Sequence, residues 1–179
     1  MHPAPDSDTS ERALVARAQA GDERAFAELV TRHKKHIWAV CVRITNHGAD
    51  AEDALQEALT AAWQHLDKFR GDAKFSTWMH RIAANAALSV VRRRRDVILD
   101  DFDLEDTGRD AYREFDDTDR VQAALRTIPN DFRAALVLRE YGGLTYEEIA
   151  THQGIPVATV KSRLNRAKKA LAEALGLAA

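Results

Sequence analysis

The sequence has little cysteine, proline or glycine: one, four and eight residues among 179. A single cysteine excludes an internal disulfide and any zinc site built from several thiolates. Few helix-breaking residues, together with abundant alanine, leucine, glutamate and arginine, favour helices, and we predict an all-α protein. Cys41 stands beside Trp38, Val40 and Val42, which predicts a small buried hydrophobic side chain rather than a reactive thiol.

Long apolar runs are also missing, so no segment is expected to cross a bilayer. The N-terminal residues lack the basic start and apolar core of a signal peptide, and we expect a cytoplasmic protein without membrane insertion. No Gly-rich phosphate loop or nucleophile elbow is present. His33 and His36 are separated by two lysines and lack a carboxylate at ligand spacing. We therefore expect no enzymatic activity, cofactor or metal, and histidines that are solvated or close to nucleic acid.

Charge is divided unevenly along the chain. Residues 1–95 hold 15 Lys/Arg and 12 Asp/Glu (+3), residues 96–119 hold two and eleven (−9), and residues 120–179 hold nine and five (+4). The sum, +3 − 9 + 4 = −2, conceals two mildly basic segments joined by an acidic one. Such asymmetry is more informative than the total charge.

Helical periodicity before Arg95 predicts four helices. They cover residues 10–20, 23–44, 50–68 and 75–95, with Ser10 and Asp50 as N-caps of the first and third. The third helix repeats apolar residues at i, i+3, i+4 and i+7. Its predicted core stripe consists of Ala51, Ala54, Leu55, Ala58, Leu59, Ala62, Trp63 and Leu66.

After Arg95 the apolar period is lost, and residues 96–119 are predicted to be a flexible or extended acidic linker. Periodicity then returns, with a short helix closed by Pro129 and a second helix capped by Asn130. We predict two small helical domains, at residues 10–95 and 120–176, on either side of the linker.

The last third of the chain has the spacing of a helix-turn-helix. Thr145 and Glu148 form a capping box for a short helix, Gly154 supplies a turn, and Pro156 opens a longer basic helix. That helix has a buried stripe of Val160, Leu164, Ala167 and Leu171 and an opposite face of small and polar side chains that could reach base edges and phosphates. An ordinary amphipathic helix with a solvated basic face remains the alternative.

The helix from Phe75 to Arg95 ends on four consecutive arginines. Its face opposite the core stripe offers cations and an amide, and aromatics flank the loop before it, so the segment could stack unpaired bases and hold phosphates. Alternatively, the aromatics are core residues and the arginines only complement the helix dipole.

The polar face of the 50–68 helix is acidic and rich in amides. Asp53 and Glu57 lie one turn apart, and like charges at this spacing repel each other unless a basic partner compensates them. The face is either a partner surface or a solvated face.

Two segments together resemble a known family. "DAEDALQEALTAAWQHLDKFRGDAKFSTWMHRIAANAA" and, after the linker, "IPNDFRAALVLREYGGLTYEEIATHQGIPVATVKSRLNRAKKAL" are similar to the extracytoplasmic-function (ECF, group IV) sigma factors of bacterial RNA polymerase. The resemblance extends from about Ser10 to Leu175 and implies a sigma-2 domain followed by a sigma-4 domain.

The resemblance implies two contacts with core RNA polymerase, on the β′ clamp coiled coil and on the β flap. In the family, the "DAED" helix docks on the clamp. The matching partner-surface positions here are Asp53, Gln56, Glu57, Thr60 and Gln64.

The resemblance also implies two contacts with promoter DNA, single-stranded at the −10 element and double-stranded at the −35 element. The "FRGDAKFSTW" loop and the following helix would bind the melted −10 strand and take a flipped base into a pocket. The matching positions are Phe69, Arg70, Lys74, Phe75, Trp78, Arg81, Asn85, Arg92 and Arg93. Those of the −35-reading helix are Thr159, Lys161, Ser162, Arg163, Asn165, Arg166 and Lys169.

The expected function is therefore transcription initiation with core polymerase, with the acidic linker imitating the backbone charge of RNA. A separate anti-sigma factor is the usual control in the family and is expected here. The competing hypothesis is a free-standing helix-turn-helix regulator, which would need dimerisation to bind paired half-sites.

Overall fold

A computed structural model describes residues 7–100 and 116–177, with side chains described for residues 10–96 and 120–177. Every regular element in these ranges is helical, which confirms the predicted all-α class. The elements are α1 (Ser7–Gln19), α2 (Glu23–Thr45), α3 (Gly48–Gln64), a single-turn 3-10 helix (Leu66–Lys68), α4 (Phe75–Asp100), α5 (Asp116–Arg126), α6 (Asn130–Glu140), α7 (Tyr146–Gln153) and α8 (Val157–Ala174).

The first half of the chain is built on three mutually packed helices, α2, α3 and α4, with α1 against α2. The predicted stripe of α3 is buried at its alanines and at Leu55 and Leu66, whereas Trp63 remains 37% exposed and packs on Phe26 at a ring-centroid distance of 5.1 Å. Cys41 is fully buried, as predicted, and this burial raises the pKa of its thiol to about 12.

The second half packs α6, α7 and α8 together, with α5 against α8. The predicted capping box is present: the Thr145 side chain accepts from the Glu148 backbone N–H, and the Glu148 carboxylate accepts from the Thr145 N–H. Gly154 ends α7 at φ 64°, a left-handed conformation that few other residues adopt without strain. Val160, Leu164 and Ala167 of α8 are buried, as predicted.

Three predicted helix caps are wrong. Helix α1 begins at Ser7, so Ser10 lies inside it. His47 rather than Asp50 caps α3, because its Nδ1 is positioned to accept from the Asp50 N–H, 3.3 Å away. Asn130 is the first residue of α6 rather than its cap, and its Oδ1 accepts instead from Arg133.

The predicted limits of the linker, residues 96–119, also differ from the structure. Helix α4 continues to Asp100, and α5 already begins at Asp116. Loss of the apolar period therefore does not mark the end of α4, because a helix can continue without an apolar stripe. The remainder of the predicted linker lies outside the described residues.

Across residues 7–100 and 116–177, no helix is both long and apolar enough to span a bilayer.

Candidate functional site

The polar face of α3 is exposed, as a partner surface requires. Asp53, Gln56, Thr60 and Gln64 are exposed to solvent, and Glu57 is half-exposed. The Glu57 carboxylate forms an ion pair with Arg93 of α4. One residue predicted to contact polymerase is thus joined to one predicted to contact DNA.

An aromatic cluster connects the loop before α4 to the helix itself. The ring centroids of Phe69, Phe75 and Trp78 lie 5.3 to 5.8 Å apart. Phe75 is only 2% exposed and therefore packs as a core residue, while Phe69 and Trp78 are half-buried. Of the two interpretations of these aromatics, the core interpretation holds for Phe75.

A cavity of about 1030 Å³ opens beside this cluster. Its rim carries the exposed cations Arg70 and Lys74 of the loop, and Phe69 and Phe75 form part of its wall. Aromatic faces beside cations suit a nucleobase with its phosphate. The structure therefore brings four of the predicted −10 residues to one concave surface.

The other wall of this cavity comes from α1 and α2, through Glu11, Arg12, Arg32 and His33. Sequence reasoning expected His33 to be solvated or close to nucleic acid, but it did not connect any of these four residues with the loop before α4. His33 Nε2 lies 2.8 Å from the Glu11 carboxylate, and its ring lies 5.6 Å from that of Phe75. The cations beside His33, namely Arg32 and the two following lysines, are the sequence signal that could have indicated a nucleic-acid surface. Only the packing of α1 beside the loop, fixed by bonds from Gln19 to the carbonyls of Leu66 and Phe69, places these residues in the wall.

The remaining −10 candidates lie along α4. Asn85, Arg92 and Arg93 are exposed, whereas Arg81 is half-buried and forms a 2.6 Å ion pair with Glu148 of α7. Next to it, His80 is 5% exposed, and its Nδ1 lies 3.2 Å from the Gly142 carbonyl oxygen. This part of the predicted DNA-reading face is covered by the second half of the chain.

The −35 candidates share one face of α8, opposite its buried stripe. Lys161, Ser162, Asn165, Arg166 and Lys169 are exposed. Thr159 and Arg163 are half-buried. Arg163 donates to Gln153 Oε1 at 3.0 Å, and its guanidinium lies 5.5 Å from the centre of the Phe132 ring.

The parts of the chain that the structure describes contain no group of three His, Cys, Asp or Glu side chains able to hold a metal ion. His33 and Glu11 form an isolated pair.

The two halves of the chain match two family models. Residues 29–97 match Sigma-70 region 2, and residues 118–171 match Sigma-70, region 4.

Curated relatives align along nearly the whole chain. The RNA polymerase sigma-H factor of Pseudomonas aeruginosa is 39% identical, covering 90% of this chain and 92% of that protein. The ECF RNA polymerase sigma-E factor of Escherichia coli K12 is 37% identical with the same coverage.

Two solved structures share the fold. CnrH, in complex with the cytosolic domain of CnrY, has a TM-score of 0.66 and 29% identity, covering 94% of this chain and 99% of CnrH. The sigma factor RpoE of Bartonella quintana, in complex with the anti-sigma factor NepR, has a TM-score of 0.74 and 25% identity, covering 86% of this chain and 98% of RpoE.

Proposed function

The chain belongs to the extracytoplasmic-function sigma factors of the sigma-70 family, the RNA polymerase factors of transcription initiation, and from this premise we propose how it selects and opens promoters. The first half binds core polymerase through the exposed face of α3 and captures the melted −10 strand with α4 and the preceding loop. The second half reads the −35 element with α8 and contacts the β flap.

The observation that carries this proposal is the separation of three exposed surfaces of different chemistry on one chain. The face of α3 is acidic and amide-rich, the loop before α4 is cationic and aromatic, and the face of α8 carries small residues and cations. Cations with aromatic rings suit unpaired bases, and a basic helix suits the major groove. The acidic face suits a basic protein partner.

Promoter opening in this scheme requires no catalytic residue. Unstacking a base costs a few kcal/mol, and capture of the flipped base in the cavity beside Phe69 and Phe75 offsets that cost. The chain is accordingly a non-enzymatic factor that acts in the cytoplasm, where it meets polymerase, and it needs no cofactor.

A separate anti-sigma factor is part of the same proposal. CnrH and the Bartonella RpoE were both solved with a protein partner, and NepR, the partner of RpoE, is an anti-sigma factor. Both similarities cover most of this chain, so a partner of this kind fits the same fold.

Run-off transcription on a randomised promoter library tests the proposal. Core polymerase with the chain should enrich one promoter class with two separated elements, and neither component alone should do so. Asn85→Ala should change the −10 element and leave the −35 element unchanged. If no start site is enriched above core polymerase alone, the proposal fails.

A further inference from the structure

The cavity beside the aromatic cluster has a carboxylate fixed in its wall, which is unexpected at a surface that binds DNA. The charged residues of the lining are four Lys/Arg and two Asp/Glu, a balance of +2 with the histidine neutral: Arg12, Arg32, Arg70, Lys74, Glu11 and Asp72. A positive balance suits the phosphates of a nucleic-acid strand. A carboxylate repels phosphate, so Glu11 in the wall points to a different kind of contact.

Glu11 is held through one of its two carboxylate oxygens. His33 Nε2 lies 2.8 Å from Glu11 Oε2, and because an ionised carboxylate only accepts hydrogen bonds, Nε2 carries the proton and donates. Both side chains are largely buried, with 23% of Glu11 and 17% of His33 exposed. Within the described residues, Oε1 of Glu11 has no hydrogen-bond partner. This oxygen is therefore available to a ligand in the cavity that Glu11 lines.

The wall that carries this carboxylate is fixed relative to the loop before α4. Gln19 of α1 donates through Nε2 to the carbonyl oxygens of Leu66 and Phe69 at 2.9 and 2.8 Å, which ties α1 to the start of the loop. The His33 ring of α2 lies 5.6 Å from the Phe75 ring, so the α1/α2 wall and the aromatic wall adjoin. The carboxylate and the aromatic rings thus keep their relative positions without a ligand, and such preorganisation lowers the cost of binding.

The cavity has room for a nucleobase together with its sugar and phosphate. Its volume of about 1030 Å³ matches the upper end of the range for small-molecule sites, roughly 300–1,000 Å³. A base stacked on the half-buried Phe69 ring keeps its hydrogen-bonding edge free, and the exposed Arg70 and Lys74 are available to its phosphate. The free edge of the base can then meet the adjoining wall.

We propose that Glu11 is a specificity-determining residue of this cavity: its carboxylate accepts a hydrogen bond from the exocyclic amino group of an unpaired cytosine or adenine, and His33 positions it. Cytosine N4 and adenine N6 are donors, whereas thymine O4 and guanine O6 are acceptors that a carboxylate repels. The wall therefore selects C or A over T or G at one position of the melted strand. The inference deepens the proposed function and rests on it, because it takes the cavity as the place where a −10 base is captured.

The alternative is a purely structural role, in which the pair of Glu11 and His33 only joins α1 to α2. Glu11→Gln separates the two roles. Its amide oxygen can still accept from His33 Nε2, so the link between the helices is retained, while its NH₂ group places a donor where Oε1 offered an acceptor. A structural role predicts an unchanged base preference, and the proposal predicts a shift towards T and G.

Run-off transcription with core polymerase and a library randomised across the −10 element measures this preference. The wild type should disfavour T and G at one position. Glu11→Gln should raise the ratio of T and G to C and A there by about tenfold, as expected for a hydrogen bond to a charged group, and leave the other −10 positions and the −35 element unchanged. Glu23→Gln, the same substitution at an exposed residue in the first turn of α2, is the control and should match the wild type.

Two variants of His33 test its positioning role. His33→Gln keeps an N–H donor for Glu11 and should retain the wild-type base preference, whereas His33→Ala should bring the use of the four bases closer to equal at the same position. Circular dichroism melting curves establish that both variants are folded. Weaker transcription in both, with an unchanged base preference, would assign the pair to a structural role.

The outcomes separate this inference from the proposed function. If the wild type enriches a promoter class and Glu11→Gln leaves every base preference unchanged, or shifts one towards C and A, the function stands and the role of Glu11 is wrong. If the wild type enriches no promoter class, the function fails, and the assignment of Glu11 to a captured base fails with it. An equal change at every −10 position would also contradict the proposal, because one carboxylate oxygen reads one base.

Discussion

Burial has its clearest chemical consequence at His80. Its Nδ1 faces the Gly142 carbonyl oxygen, an acceptor, so Nδ1 carries the proton, while its Nε2 is buried without a partner. Desolvation by burial lowers the pKa of His80 from its ordinary value of 6.5; the carbonyl contact opposes this effect, and the charges of His36 and His33 add to it. Protonation would place a second, unpaired N–H in the interior.

We predict that the free energy of unfolding decreases as the pH falls through 6.5. The unfolded chain then takes up a proton that the folded chain, with its lowered His80 pKa, does not, so the unfolded state gains stability. Urea unfolding midpoints measured above and below this pH test the prediction. His80→Asn keeps a hydrogen-bond donor and cannot titrate, so its unfolding free energy should depend less on pH than that of the wild type. Part of the pH dependence should remain, because burial lowers the pKa of His152 as well. Identical profiles contradict the assignment.

Arg166 gives a residue-scale test of −35 reading, because it is exposed on the presented face of α8. If its guanidinium binds guanine through two hydrogen bonds, Arg166→Ala should weaken promoter binding by about 1–3 kcal/mol and relax base preference at one position. Promoter-library transcription reads out both effects. Lys168→Ala is the control, since Lys168 is not one of the −35 candidates and its Nζ lies 3.0 Å from the Glu140 carboxylate. An equal effect of both variants would indicate phosphate contact only.

At the scale of elements, the short helix α7 depends on its cap. It has eight residues, and isolated helices of that length are unstable in water. Thr145→Ala removes one half of the capping box and should cost about 1 kcal/mol of unfolding free energy, whereas Thr145→Ser should retain most of it. Urea unfolding of the three proteins measures the difference, and equal stabilities would show that packing alone holds α7.

The exposed face of α3 can be tested by charge reversal. Asp53→Lys should weaken binding to core polymerase several-fold, with a larger effect at low salt, because a basic partner would then meet a like charge. Asp53 is preferable to Glu57, whose reversal would also break the ion pair with Arg93. Glu23→Lys, an equal charge change in the first turn of α2, is the control. Unchanged affinity for Asp53→Lys in a polymerase titration would assign the α3 face to solvent.

The sequence predicts the helices and their buried stripes well, because periodicity reports which face is apolar. It predicts the capping box of α7 correctly but not the N-cap of α3, where His47 and Asp50 both stand near the helix start and His47 accepts the backbone N–H. It misses Glu11 and Arg32 in the cavity wall and the hydrogen bonds from Arg133 to the Ile44 carbonyl oxygen, because these arrangements arise from helix packing between distant parts of the chain.

At the scale of the whole molecule, the requirement for core polymerase in DNA binding is what distinguishes a sigma factor from a free-standing regulator. Glu148 of α7 pairs with Arg81 of α4, and residues of both predicted DNA-binding sets line one small cavity. A sigma factor does not need high affinity for DNA by itself, because polymerase supplies further contacts and raises the effective concentration of each half of the factor at its promoter element.

Titration of a fluorescent promoter, taken from the enriched library, tests this account most directly. The chain alone, core polymerase alone and the two together are each added over the same concentration range. The account predicts saturable, sequence-dependent binding only for the combination. Tight, sequence-specific binding by the chain alone would contradict it and support a free-standing helix-turn-helix regulator.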